Sequence, residues 1–355
     1  MSRVGSRRSI ISGNTVRGVK QNRLREVKYS ASAVATKSMR AIQIHKYGGP
    51  RVLTYEEAPQ PEPKEDELLI RVHATSVNPA DWQIRSGRRW KLKRPFSLIL
   101  GLDVSGVVEA VGGGVTDFKP GDEVFGMMDI RKGGAYAEYV AAPARNFAYK
   151  PRSLDQIQAA SLPVVGLTAW QALFEAAKLS AGQRILIHGA AGGVGHIAVQ
   201  LAKWTGAYVI GTASGPNENF LREIGVDEFI NYKTTRFENV VRDVDVVLET
   251  INRDIDVEPF PGETLQRSWG VLKKNGILVS ICGRPSLETA AAYGVRAEHI
   301  LVQPNTAQLG QIAKLVDAGH VKPTVETVLP LKEARQAHEL SQKGHTRGKI
   351  VLQVL

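Results

Sequence analysis

Residues 185–203, "ILIHGAAGGVGHIAVQLAK", decide how the rest of the chain is read. Ile185, Leu186 and Ile187 form a short apolar run of the kind that fills a strand buried on both faces of a parallel sheet. Gly189 to Gly195 then turns the chain. Beyond it, Ile197, Ala198, Leu201, Ala202 and Trp204 recur with the period of an α-helix, which predicts a helix opening at about Val194. Small residues at such a junction let backbone N–H groups approach a pyrophosphate, and the positive end of the helix favours the same anion. Ala190, Gly192 and Gly195 match the dinucleotide fingerprint with alanine in its first place, so Ala191, Gly192, Gly193, Val194 and Gly195 are the candidate cofactor cradle. A second apolar run, "AYVIGTAS" (207–214), follows at the distance a βαβ unit needs. The bland alternative is that small residues here only let strand and helix pack closely.

An NAD site usually carries an Asp or Glu about 20 residues past the glycines, which accepts hydrogen bonds from the ribose hydroxyls. Here that place holds Thr212, Ala213 and Ser214, and the first acid is Glu218. With no carboxylate to repel a 2′-phosphate, and with donors at Ser214 and Asn217, NADP (NADPH) is the expected cofactor. No arginine clamp is evident in the sequence. Arg222 lies one to two helical turns on, and Tyr232 with Lys233 comes from the next strand end; Arg222 and Lys233 read equally well as solvated surface charges.

With 355 residues, 43% hydrophobic and 23% charged, the chain can build two ordinary domains. No apolar stretch approaches the roughly 18 residues a bilayer crossing needs, so no membrane span is expected. The single cysteine, Cys282, rules out an internal disulfide and a thiolate-rich metal cluster. The net charge of +11 suggests a nucleic-acid partner until it is located. Residues 1–38 hold nine Lys/Arg and one acid, Glu26, which leaves only +3 for everything that follows. No nucleic acid is therefore expected on the folded body. The Ser/Arg-rich, acid-poor leader resembles an organellar transit peptide, which suggests a mitochondrion or another organelle; a disordered tail, or a true start at Met39 in the cytoplasm, explains it as well.

After the leader, "RAIQIH", "ELLIRVHATSV", "GVVEAVG", "DEVFGMM" and "GAYAEYVAA" are short strand-like pieces set apart by Gly and Pro, which predicts a barrel-like β domain. Strands then alternate with helices: "RILIHG", "AYVIGT", "DEFINY", "DVVLET", "GILVSIC" and "HILVQP" are six strand candidates for a doubly wound sheet. The tail "VETVLPLKEARQAHELSQKGHTRGKIVLQVL" returns to β character and is expected to close the first domain.

That order, with "GGPRVLTYEEAPQPEP", "VNPADWQIRSG", "GLDVSGVVEAVGGGVTDFKPGDEVFG", "GGAYAEYV", "GLTAWQAL", "GAAGGVGHIAVQLAK" and the closing "GHTRGKIVL", resembles the medium-chain dehydrogenase/reductase superfamily. More narrowly, it is similar to the zinc-free quinone oxidoreductase and enoyl-reductase branch. The resemblance covers about residues 39–355. It implies an α/β protein with a GroES-like β-barrel catalytic domain at 39–160 and 320–355 and a doubly wound Rossmann domain at 161–319. It also implies a homodimer with its active site in the cleft between domains. Zinc members place a cysteine where "NPAD" has Asn78 and a histidine where "GLDVSG" has Leu102, and neither residue here replaces the ligand. The segment from Asp122 to Tyr136 is too short, and lacks the cysteines, for a structural zinc lobe. No metal is therefore expected.

The resemblance also distributes roles. Asn78 donates an amide hydrogen bond to a substrate carbonyl or a ribose hydroxyl, or is a turn residue ahead of Pro79; Asp81 reads as the N-cap of a helix starting near Trp82. Tyr136 resembles a family tyrosine facing the cleft, with a phenol that serves a developing enolate, against core packing as the alternative. Trp90, in "SGRRWKLKRPF", is a candidate for the substrate mouth or a plain loop aromatic. Thr168 resembles the residue beside the nicotinamide ring, or is an ordinary helix residue. Thr250 and Gly283 end two strands and should face the cofactor. His345, Arg347 and Lys349 resemble a tail that reaches the phosphates, though a turn would tolerate them too. Relatives pass almost directly from the "DVVLET" strand to a "GETL" helix start, whereas this chain inserts about ten residues, "INRDIDVEPFP", beside the expected nicotinamide. The expected function is NADPH-dependent, zinc-independent delivery of hydride to a small molecule, a quinone or an α,β-unsaturated carbonyl. The alternatives are a mitochondrial enoyl-thioester reductase, or a low-turnover cofactor-sensing or RNA-binding protein on the same fold.

Overall fold

The two patterns in the sequence become two kinds of sheet. A computed structural model describes residues 37–87, 95–251 and 262–355. It starts with β1 (Ser38–Ile44) and β2 (Thr54–Pro59), antiparallel from Ser38 opposite Pro59 to Gln43 opposite Thr54. β3 (Glu67–Ser76) passes through Asn78 into α1 (Pro79–Ser86), and β4 (Leu98–Ile99) returns to β1. The short strands β5 (Asp103–Val111), β6 (Glu123–Met127), β7 (Tyr139–Pro143) and β8 (Phe147–Tyr149) precede α2 (Gln156–Ala160) and α3 (Pro163–Trp170).

Strands and helices then alternate. They are β9 (Arg184–His188), α4 (Gly193–Thr205), β10 (Tyr208–Ala213), α5 (Glu218–Glu223), β11 (Glu228–Asn231), α6 (Phe237–Val240) and β12 (Val244–Glu249). α7 (Glu263–Ser268), β13 (Leu272–Ser280), α8 (Leu287–Ala292), β14 (Arg296–His299) and α9 (Thr306–Asp317) complete the series. The tail supplies β15 (Val325–Pro330), α10 (Ala334–Gln342) and β16 (Lys349–Gln353).

The second group forms a six-stranded, all-parallel sheet in the order β11-β10-β9-β12-β13-β14. Its order reverses between β9 and β12, and open parallel sheets bind ligands in the crevice at such a switch point. β9 lies at its centre, and Ile185, Leu186 and Ile187 are all fully buried. Ile185 and Ile187 pack with Ile197, Ala198 and Leu201 of α4, while Leu186 packs on the other face with Val247 and Trp269. β1, β2 and β4 form a three-stranded sheet in the order β2-β1-β4, and the other strands form a seven-stranded sheet, β15-β16-β3-β5-β6-β8 with β7 also paired to β3. The tail enters it where Val351 stands opposite Ser76, so the last strand of the chain lies beside the residues that lead into α1.

Three local expectations shift. The cofactor helix opens at Gly193, one residue early, because Gly192 is its extended N-cap; it ends at Gly206 in the left-handed region, φ 86°. The sixth parallel strand is Arg296–His299, not "HILVQP": pairing to β13 stops at Ser280 opposite His299, and Gln303 is taken up by Gln171 instead. Of "GAYAEYVAA" only Tyr139 onward is strand, and Ala137 makes a single bridge to Ala41.

Candidate active site

At the switch point the fingerprint is a packing device. A methyl group built on Gly195 would stand 2.2 Å from Gly189 O and 2.7 Å from Ala190 Cα, so only glycine lets α4 start this close to β9. Thr250 Oγ1 donates to His188 O at 2.6 Å across the crevice, and Gly283 N–H donates to Ser280 Oγ at 3.3 Å beyond β13. From the other side of the chain, Gly348 N–H donates to Ala191 O at 2.9 Å. Thr168 lies in α3 and spends its hydroxyl proton on Val164 O at 2.6 Å, the bond of an ordinary helical threonine.

β10 ends in a second polar group. Ser214 caps a single turn, Gly215–Asn217, and accepts from Asn217 Nδ2 at 3.1 Å. Arg347 reaches the same turn: its Nε donates to Asn217 Oδ1 at 2.8 Å and its Nη2 to Pro216 O at 3.2 Å, with the guanidinium 5.3 Å from the Phe220 ring centre. An arginine that the local sequence lacks thus reaches this strand end from the tail. Arg222 instead pairs with Glu218 on the surface at 2.7 Å, and His345 and Lys233 are exposed. Tyr232 helps to line a cavity of about 310 Å³ with His188, Thr212, Phe237, Ile251, Thr264 and Arg267.

A third group gathers where β3, β5 and β16 meet. Asn78 is the N-cap of α1, and Asp81 sits at the third helical position, where Oδ2 accepts from Asn78 N–H at 2.8 Å. The expected N-cap role of Asp81 is therefore corrected: Pro79 starts the helix earlier, and the carboxylate folds back on the cap. The side chain of Asn78 is turned away, its Nδ2 donating to Asp103 Oδ2 at 2.7 Å and its Oδ1 accepting from Lys349 Nζ at 2.6 Å. Lys349 Nζ also donates to Val77 O at 3.0 Å and reaches Asp103 Oδ2 at 3.5 Å. Asp103 Oδ2 takes the Ser76 hydroxyl as well, and Oδ1 takes Val164 N–H at 2.7 Å. Lys349 is only 3% exposed, so the expectation that its ammonium reaches the phosphates is corrected: three protein acceptors hold it. Burial pushes its pKa down, against the pull of Asp103.

Tyr136 requires a further correction. It is fully buried, and its hydroxyl bonds Asp81 Oδ2 at 3.2 Å and His338 Nε2 at 3.1 Å, so it does not face an opening. Arg85 Nη1 lies 2.9 Å from His338 Nδ1 and can only donate, so Nδ1 accepts and the ring proton sits on Nε2. That proton points at the Tyr136 oxygen, whose own proton goes to Asp81. Burial, with Asp81 beside it, holds the phenol well above 10, and burial raises Asp81 to about 7. Such a phenol is a poor acid for a substrate.

Comparison with known proteins follows the same lines. Residues 64–152 match the alcohol dehydrogenase GroES-like domain, and residues 224–352 match the zinc-binding dehydrogenase family. The chain is 34% identical over 337 residues to a chloroplast envelope quinone oxidoreductase homolog of Arabidopsis thaliana, covering 90% of this chain and 100% of that protein. It is 34% identical over 326 residues to the mitochondrial NAD(P)H oxidoreductase RTN4IP1 of Mus musculus, covering 82% of each. The solved quinone oxidoreductase of Escherichia coli, complexed with NADPH, superposes with a TM-score of 0.79 at 29% identity, over 89% of this chain and 100% of that one.

The chain belongs to the medium-chain dehydrogenase/reductase superfamily, in its quinone oxidoreductase branch. As a member of that superfamily it is an oxidoreductase that uses a nicotinamide cofactor. Among the described residues of this oxidoreductase, no three His, Cys, Asp or Glu come together to hold a metal ion, and no helix is long and apolar enough to cross a membrane. Trp90 and, of the insertion at 251–261, residues 252–261 lie outside the described residues. Sequence reasoning missed Asp103, Ser76, Arg85 and His338. Asp103 was within reach, since it stands beside Leu102 in "GLDVSG".

Proposed function

We propose that this oxidoreductase uses NADPH, without zinc, to reduce a quinone or an α,β-unsaturated carbonyl compound. The observation that carries the cofactor preference is Arg347 fixed beside Ser214 and Asn217, at a strand end with no carboxylate. Two of its donors are spent on the turn, which holds the guanidinium in place and leaves further N–H groups for a 2′-phosphate. The backbone of Gly192, Gly193, Val194 and Gly195 at the head of α4 would take the pyrophosphate, and the cavity beside Tyr232 is of a size and polarity for the adenine end. Thr250, Gly283 and Thr168 would border the rest of the crevice. A bound nicotinamide supplies the hydride.

Leu102 is buried in the core, and an ammonium already lies against Asn78 and Asp103, so carbonyl polarisation by a metal at these positions is not part of the proposal. Without it, acceptors that take hydride readily are the fitting class. The proton then comes from solvent, since Tyr136 is sealed. A homodimer and an organellar location belong to the same proposal, the location supported by the basic leader and by relatives named for mitochondrion and chloroplast. An NADPH-oxidation screen of the full chain against quinones, enals and enoyl thioesters tests the reading. Turnover with quinones or enals is expected; cofactor binding without turnover on any acceptor would replace it with a sensing role.

A further inference from the structure

One side chain touches both halves of the crevice. Lys349 and its neighbour Gly348 meet the cofactor cradle twice: Gly348 N–H donates to Ala191 O at 2.9 Å, and the Lys349 shaft passes Gly193, where a built methyl group would stand 3.2 Å from Lys349 Cδ. Gly193 is the first residue of α4. The far end of the same side chain is the ammonium held by Val77 O, Asn78 Oδ1 and Asp103 Oδ2. Asn78 is thereby fixed from both ends of its amide, with Lys349 on the oxygen and Asp103 on the nitrogen. An amide held this way cannot flip without placing its NH₂ group against an ammonium. Asp103 is anchored in turn by the Ser76 hydroxyl and by Val164 N–H in the first turn of α3.

We propose that Lys349 is a positioning residue that couples the cofactor cradle to Asn78: its shaft packs on the first residue of α4 and its ammonium sets the orientation of the Asn78 amide. The proposal rests on the nicotinamide reading given above, but it assigns Lys349 no contact with the cofactor. A shift of the α4 head on cofactor binding is transmitted along a four-carbon shaft to the amide. The rest of the network, being buried and satisfied, resists following it.

Lys349→Met keeps most of the shaft and removes the charge, and Lys349→Met with Asp103→Asn also removes the carboxylate left unpaired. NADPH affinity, the emission of the bound nicotinamide, kcat and Tm are measured for the unsubstituted chain and both variants. For Lys349→Met the expectation is NADPH affinity within about threefold of the unsubstituted chain, an altered nicotinamide emission and a kcat lower by at least about tenfold, the scale on which misplacement of a positioned group acts. The double variant should regain the Tm that the single one loses, while kcat stays low. Recovery of kcat together with Tm would reduce Lys349 to a structural ion-pair partner and overturn the proposal. So would a loss of NADPH affinity of more than about tenfold with kcat intact, the signature of a phosphate ligand. If the unsubstituted chain binds no NADPH, the cofactor reading itself fails, and this inference fails with it.

Discussion

Arg347 and Asn217 stand 130 residues apart and meet at 2.8 Å, and the proposed phosphate preference rests on their meeting. The sequence shows the strand end and the missing acid, which are local, but the arginine enters from the turn before β16, 130 residues on, and has no signature near the strand end. Replacing Ser214 with Asp places a carboxylate where the phosphate would lie and offers an acceptor to the free hydroxyls of NAD. NADPH should weaken by roughly 1 to 3 kcal/mol, the scale of a lost charge-assisted hydrogen bond, with NADH little changed. Arg347→Met keeps apolar contact with Phe220 and removes the charge, so it should weaken NADPH by a similar amount and leave NADH nearly unchanged. Titration of both cofactors against each variant decides this, and equal losses for the two would show that the strand end does not read the phosphate. Tyr136 shows the opposite limit of sequence reading. A resemblance names the residue, but whether its hydroxyl meets solvent or a buried Asp81 is set by α1 and α10 packing over it.

Between elements, the contacts that decide geometry are few. β9 and α4 touch through Gly195, and Gly195→Ala would drive a methyl group into Gly189 O, so strand and helix must separate. Gly192→Ala meets only Gly189 O at 3.2 Å and should be milder. NADPH affinity and Tm should both fall far more in the first variant than in the second, and equal effects would mean that the cradle yields easily. α1 and α10 are joined by Arg85 and His338, whose ring is held neutral by burial with a pKa of about 3, against an ordinary value of 6.5. A histidine that folds neutral contributes stability that is complete above about pH 6.5 and is lost as pH falls toward about 3, by at most about 1.4 kcal/mol per pH unit. His338→Ala leaves the buried Arg85 guanidinium short of an acceptor and should cost about 1 to 3 kcal/mol at pH 7.5. The Tm gap between the two proteins should narrow from pH 7.5 to pH 5, because only the unsubstituted chain pays for protonation there. A gap that stays constant would mean that His338 is not the titrating group.

For the whole molecule, the alternation of strand and helix from residue 184 and the β-rich return at the tail were legible because each depends on a period within one segment. The third polar group was not, because Asn78, Asp103 and Lys349 come from three segments that the seven-stranded sheet brings side by side. The charge distribution is legible at this scale as well. With +8 of the +11 in residues 1–38, protein made in a eukaryotic cell should have a mature amino terminus between about residues 25 and 39, and an intact leader on cytosolic protein would sink the targeting expectation. The same sheet geometry bears on metal. A dication near Asn78 would need anionic or imidazole ligands, yet position 102 is a leucine 1% exposed and packed in the core. Of the two carboxylates at hand, Asp103 already has Ser76, Asn78, Val164 N–H and the Lys349 ammonium around it, and Asp81 is taken up by Asn78 N–H and the Tyr136 hydroxyl. An ammonium with three acceptors repels a second cation, and displacing it would leave a buried lysine uncompensated. Purified protein is therefore expected to carry far less than one zinc per chain by elemental analysis, with NADPH-dependent turnover unchanged by chelators. About one zinc per chain, lost together with activity on chelation, would mean that Lys349 swings out and that the crevice polarises its substrate by a route other than the one proposed.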